Sequence, residues 1–318
     1  MSTKMSKRIR CVVLALVLTA VSVGGMFGCG DDGGQRFYFE RVYDRNERPL
    51  HYIVTGGRPD REGHLVLDIP ATRRRGMFRR LPVIGVQTEA FKGNEDIRSL
   101  FIPNTVTHIP AGAFKDTVNL VSIEFEEGSQ LVSIDSSRCR FVSGGQREVI
   151  VGGAFENSGL ESIIFPRSLE WIGRAAFMNT QSLRKVDFEY GSIINSIGWL
   201  AFAESGLEWI RFPASLRAIG VSAFGACFNL RQVKQEENSR LEVIEYHAFA
   251  GTTSLLSFTI PYSTRIILPG IFNGWTDAQT IYIQGRNTPP HFSWVDGVLI
   301  EWVPAWTRGS EAQIIWNV

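Results

Sequence analysis

Charge of one sign is not in surplus. The chain carries 33 lysines and arginines against 32 aspartates and glutamates over 318 residues, so it offers no broad basic field for general nucleic-acid binding. Cysteine is scarce too: four in a chain of this size do not make a disulfide scaffold, and no CxxC pair or Cys/His cluster has metal-ligand spacing. Catalytic signatures are missing as well, with no GxSxG, HExxH, P-loop or Rossmann glycine set. The five histidines, His51, His64, His108, His247 and His291, share no spacing. These absences argue against an enzyme, a cofactor or a resident metal. The 44% hydrophobic and 11% aromatic content describes an ordered chain, not a disordered one.

A long apolar run is also lacking. Residues 11–23, after the basic "KRIR", are too short for a permanent transmembrane helix and suit an export signal. The run ends in "GGMFGCGDDGG", which resembles a bacterial lipoprotein signal, although Met26 and Phe27 stand where that pattern has Leu and a small residue. The resemblance implies cleavage before Cys29, acylation of Cys29 and a flexible tether over 29–35. The alternative is a secreted chain cut nearby, with Cys29 a spare thiol. Loss of Lys4, Lys7, Arg8 and Arg10 with the signal leaves 29 basic against 32 acidic residues, a charge of −3.

What fills the rest is repetition. "GLESIIFPRSLEWIGRAAF" at 159–177 returns as "GLEWIRFPASLRAIGVSAF" at 206–224. Phe91, Phe114, Phe155, Phe177, Phe202, Phe224, Phe249 and Phe272 recur at intervals of 23, 41, 22, 25, 22, 25 and 23, all but the last preceded by Ala. Five residues before each stands Val86, Ile109, Ile150, Ile172, Ile197, Ile219, Ile244 or Ile267. A period of 20–30 residues is the mark of a solenoid. Units of two kinds alternate: one closes an apolar triplet with Pro103, Pro166, Pro213 or Pro261, the other with an acidic turn, "EEGS", "EYGS" or "EENS". The interval of 41 contains 16 residues beyond the usual 25, an insertion between Ile134 and Ile150.

Each unit predicts a short strand over "LxxIxF", a stop, a second short strand, and a "GxxAF" turn whose Phe plugs the core. One copy cannot bury that face, but stacked copies can. These residues resemble the BspA-type leucine-rich repeat family of bacterial surface proteins, including Cys227 at the family's Cys position. The resemblance implies a right-handed solenoid of about eight units of short parallel strands with turns or short helical segments. It also implies a packed core role for Cys227, and caps at both ends, the C-terminal one beginning at "TIYIQGRNTPPHF". The expected divisions are a signal peptide at 1–28, the tether at 29–35, an N-terminal cap at 36–80, the solenoid at 81–285 with its insertion near 135–149, and a C-terminal cap at 286–318.

Only outward strand positions are free to encode a partner. Two columns predict a face about 35–40 Å long at the usual strand spacing. One runs Phe101, Glu124, Ile164, Asp187, Arg211, Lys234, Thr259, Tyr282; its neighbour runs Ser99, Ser122, Ser162, Lys185, Trp209, Gln232, Ser257, Thr280. Lys185, Asp187, Trp209, Arg211, Gln232 and Lys234 form the candidate site, because Trp and Arg dominate binding hot spots. An isolated surface aromatic without a role is the opposing reading. Arg73, Arg74, Arg75, Arg79 and Arg80 form a second basic patch, suited to sulfated glycans or anionic lipid, or else a solvated loop. The stacked acids of the turns suit Ca²⁺ or plain turn formation.

The expected function is therefore that of a non-enzymatic, membrane-tethered surface protein binding host or envelope proteins or glycans, host matrix among them. A periplasmic scaffold built on the same solenoid is the alternative.

Overall fold

The computed structural model describes residues 29–30, 36–43, 49–66, 82–134, 152–285, 293–295, 298–300 and 309–316. The expected signal peptide, most of the tether, the basic run at 73–80, the insertion with Cys139, and the "NTPPHF" turn lie outside the described residues.

Three strands open the structure: β1 (Cys29–Gly30), β2 (Arg36–Tyr43) and β3 (Pro49–Arg58), paired antiparallel in that order. Strands of two kinds then alternate, four and two residues long in turn from β6 to β20. They are β4 (His64–Val66), β5 (Val83–Val86), β6 (Ser99–Ile102), β7 (His108–Ile109), β8 (Ser122–Phe125), β9 (Ser133–Ile134), β10 (Ser162–Phe165) and β11 (Trp171–Ile172). They continue as β12 (Lys185–Phe188), β13 (Ser196–Ile197), β14 (Trp209–Phe212), β15 (Ala218–Ile219), β16 (Gln232–Gln235), β17 (Val243–Ile244), β18 (Ser257–Ile260), β19 (Ile266–Ile267) and β20 (Thr280–Ile283). A hairpin of β21 (Ser293–Val295) and β22 (Val298–Ile300) follows, and β23 (Gln313–Trp316) pairs parallel with β20.

The short strands join β1, β2 and β3 in one eleven-stranded sheet, parallel from β3 onward. Ile134 holds the rung between Ile109 and Ile172. The insertion therefore begins after a completed strand. The long strands form three shorter parallel sheets, β4-β6-β8, β10-β12-β14-β16 and β18-β20-β23. β4 pairs in register with β6 and already occupies a rung, although it lies within the expected cap.

Alternation decides the core. Leu100, Ile163, Val186, Ile210, Phe258 and Ile281 are buried on one inward column, and Ile102, Phe165, Phe188, Phe212, Ile260 and Ile283 on the next. The column breaks at Gln235, whose amide donates to the Thr259 carbonyl at 2.6 Å. That bond spans the gap where β16 and β18 fail to pair.

The Ala-Phe turns make the third side. Phe91, Phe114, Phe155, Phe177, Phe202 and Phe224 stack almost parallel, with neighbouring centroids 5.2–5.5 Å apart. Phe249 and Phe272 extend the stack. Helical segments were one expected form of these turns, and none occurs among the described residues. The reason lies in the backbone. Leu200 and Glu204 have φ of 57° and 58°, so alternate N–H groups point sideways instead of along a helix. Leu200, Phe202 and Glu204 donate to Val221, Ala223 and Gly225 of the next rung at 2.8–2.9 Å, while Ala201 and Ala203 bond within their own turn. A third edge of hydrogen bonds thus ties rung to rung.

Candidate functional site

The long-strand face follows the predicted columns. Lys185 is in register with Trp209 and Trp209 with Gln232; Arg211 is in register with Lys234, and Ile164 with Asp187. The six candidate residues therefore share one patch of three adjacent strands, β12, β14 and β16.

Their availability differs from the expectation. Arg211 is not a free cation. Its Nε donates to Asp187 Oδ1 at 2.7 Å, its terminal nitrogens donate to Glu236 and to the Phe188 carbonyl, and its side chain keeps only 19% exposure. Trp209 is half-buried rather than fully exposed. Lys185 Nζ stands over its ring, 5.0 Å from the centroid, and 3.9 Å from Asp187 Oδ2. A cation over an indole face adds roughly 0.5–1 kcal/mol at such an exposed site. Lys185, Gln232 and Lys234 are exposed. What the face offers is an indole edge flanked by an amide and two ammonium groups, with a paired Arg–carboxylate cluster beneath. Exposed Ile164 lies alongside on β10.

Sequence reasoning missed Glu236, because its contact with Arg211 crosses from the acidic turn of the next unit. The same turns explain the alternation of unit types. Glu126, Glu189 and Glu236 accept the backbone N–H of Asn104, Arg167 and Ala214 at 2.8, 3.0 and 3.0 Å. Those donors directly follow Pro103, Pro166 and Pro213, so these three Pro turns are capped by the acid of the following rung. Glu126, Glu189 and Glu236 thus act as turn caps.

Cys227 is fully buried. Its Sγ donates to the Phe202 carbonyl at 3.0 Å and lies 3.4 Å from Ser205 Oγ, and burial pushes the thiol up to about 11. Thr117, Thr180 and Thr252 occupy the equivalent position in other rungs, each donating to the carbonyl of its own Phe. A packing role accounts for all four. The described histidines do not converge: His51, His108 and His247 lie on separate rungs, and His64 bonds Ser99. Burial lowers the pKa of His51. Cys29 pairs through its backbone with Phe37 in β1–β2. The patch of Arg73, Arg74, Arg75, Arg79 and Arg80 lies outside the described residues.

Comparison with solved structures finds bacterial repeat proteins similar to this chain. The pneumococcal vaccine antigen PcpA aligns over 84% of each chain at 19% identity, with a TM-score of 0.52. A leucine-rich cell surface protein from Faecalibacterium prausnitzii aligns over 82% of this chain and 77% of its own, at 18% identity and a TM-score of 0.43. A leucine-rich repeat protein from T. pallidum aligns over 68% and 87%, at 22% identity and a TM-score of 0.45. No curated protein matches. The BspA type leucine rich repeat region matches in six copies over residues 83–139 and 148–279, and with more than half of its length so matched, the chain belongs to that family.

Proposed function

We propose that this protein is a non-enzymatic binding repeat, exported and tethered through acylated Cys29, which engages a protein or glycan on its long-strand face. One observation carries the reading: Trp209 lies in register between Lys185 and Gln232, an amphipathic anchor flanked by exposed polar side chains at the centre of a rigid, stacked sheet. A rigid surface loses little conformational freedom on binding, and aromatic anchors dominate hot spots. Family membership and the fold shared with PcpA support a repeat protein that works through its surface. Host matrix proteins, envelope proteins and glycans are the candidate partners. The alternative is a periplasmic scaffold with the same face turned inward.

Protease treatment of intact cells separates the two. Cleavage of the solenoid before lysis supports the surface reading, and full protection until lysis supports the scaffold. Detergent partitioning of the chain and of Cys29→Ala tests the anchor, since firm membrane attachment needs more than one weak signal. An unmodified Gly30 or Asp31 as the mature N-terminus would exclude acylation at Cys29.

A further inference from the structure

The N-terminal end of the stack holds an open cleft of about 410 Å³, away from the strand-face patch. Arg58, Arg61 and Arg98 line it, as do Asp60, Glu95 and Asp96. Arg58 closes β3, Arg61 sits in the turn before β4, and Arg98 immediately precedes β6. None of these three guanidinium groups makes an ion pair or side-chain hydrogen bond among the described residues, although three carboxylates share the cleft. Arg211 is paired internally instead, between Asp187 and Glu236.

The walls are fixed. Asp60 Oδ1 accepts the backbone N–H groups of Glu62 and His64, each at 2.9 Å, which locks the turn that carries Arg61. Gly63 has φ +87°, and a Cβ there would stand 2.7 Å from Arg98 Cγ and 2.8 Å from the Asp96 carbonyl. Only glycine lets the Arg98 stem lie against this backbone. Arg98 in turn donates its own N–H to the Gly63 carbonyl at 2.7 Å. On the far wall Asn119 donates to the Glu95 carbonyl at 2.9 Å.

We infer that this cleft binds a sugar bearing one acidic group, a carboxylate or a sulfate ester. Guanidinium forks match planar or tetrahedral oxyanions in bidentate fashion. The balanced carboxylates argue against a continuous anionic surface such as a membrane, which three nearby acids would repel. They suit a ligand that presents one anion together with hydroxyl donors, because a carboxylate accepts from a hydroxyl without needing a countercharge. The cleft volume lies within the range of small-ligand sites. This inference stands apart from the strand-face reading.

The test is calorimetric titration of the full chain with glucuronate, a glucose sulfate, neutral glucose, inorganic sulfate, glycine, and vesicles containing phosphatidylglycerol. The expected result is binding of glucuronate or the sulfated sugar, with glucose bound at least tenfold more weakly. Arg98→Ala and Arg61→Ala should each weaken it about tenfold, the loss of one charge-assisted hydrogen bond. Arg98→Lys should fall between parent and Ala, and Trp209→Ala should leave the titration unchanged. The inference is overturned by no binding of either acidic sugar, by binding unaffected in the Arg61/Arg98 double variant, or by glucose binding as well as its acids. Equal affinity for inorganic sulfate, glycine or the vesicles would likewise overturn the assignment to acidic sugars.

Discussion

Arg211 Nε donates to Asp187 Oδ1 at 2.7 Å across adjacent rungs, and the same guanidinium also reaches Glu236 on the other side. The bond places three consecutive units under one charge cluster and takes the central arginine out of reach of a partner. Arg211→Ala leaves two half-buried carboxylates facing each other without their cation. A loss of about 2 kcal/mol in denaturant unfolding is expected. Lys234→Ala, on an exposed side chain, should change stability by less than about 0.5 kcal/mol. Equal effects of the two would show that the cluster is not structural.

The Phe column carries the solenoid. Phe202 stacks on Phe177 at 5.3 Å and on Phe224 at 5.5 Å, and its side chain is fully buried. Phe202→Ala should cost roughly 3–5 kcal/mol through lost burial and the cavity left between rungs. Circular dichroism dominated by helix, or tolerance of this substitution, would contradict the fold.

Ala226 has φ of 55° two residues after Phe224, where Gly93, Gly251 and Gly274 stand after their own Phe. A left-handed conformation costs a non-glycine residue about 1 kcal/mol or more. Ala226→Gly should therefore raise the unfolding midpoint, and Gly251→Ala should lower it. The paired shifts of opposite sign are the check.

Cys227 makes stability depend on alkaline pH. Its folded-state value is raised from 9.0 to about 11 by burial, so above pH 9 the unfolded chain binds fewer protons than the folded one. The contribution is complete below pH 9 and is lost as pH rises toward 11, by about 2–3 kcal/mol in all. Thr180 and Thr252 already fill the equivalent place in their own rungs. Cys227→Thr should therefore fold with less than about 1.5 kcal/mol of loss and abolish this alkaline dependence. An unchanged pH profile in that variant would remove Cys227 as the cause.

Much of this was legible because the period multiplies the signal. The Ala-Phe spacing, the Pro stops and the two outward columns each recur in several units, so the register of Lys185, Trp209 and Gln232 followed from counting. Contacts that do not recur were hidden. Glu236 reaching Arg211 depends on side-chain reach between units, as does the placement of Lys185 over the Trp209 ring. The break at Gln235 and the β1–β2–β3 pairing belong to no repeat. The acidic turns are visible as a pattern in the sequence, but the capping of the Arg167 N–H by Glu189 is a contact between units that no single unit displays.

Glu189→Ala should cost about 1 kcal/mol, the usual value of a lost backbone cap, whereas exposed Tyr190→Ala beside it should be neutral. Urea midpoints of the two variants decide it. A neutral Glu189→Ala would leave the alternation of Pro and acid unexplained.

The most direct measurement of the central claim is binding of the exported chain to a panel of host matrix proteins and glycans, compared with Trp209→Ala and Trp199→Ala. Trp199 is the control: it is 46% exposed and has Arg174 over its ring at 4.0 Å, but it stands on the Ala-Phe turns instead of the long-strand face. Trp209→Ala should weaken binding by about 2 kcal/mol or more without unfolding, while Trp199→Ala should bind as the parent does. Binding that survives Trp209→Ala together with Lys185→Ala and Lys234→Ala, or that is lost in Trp199→Ala, would contradict the claim.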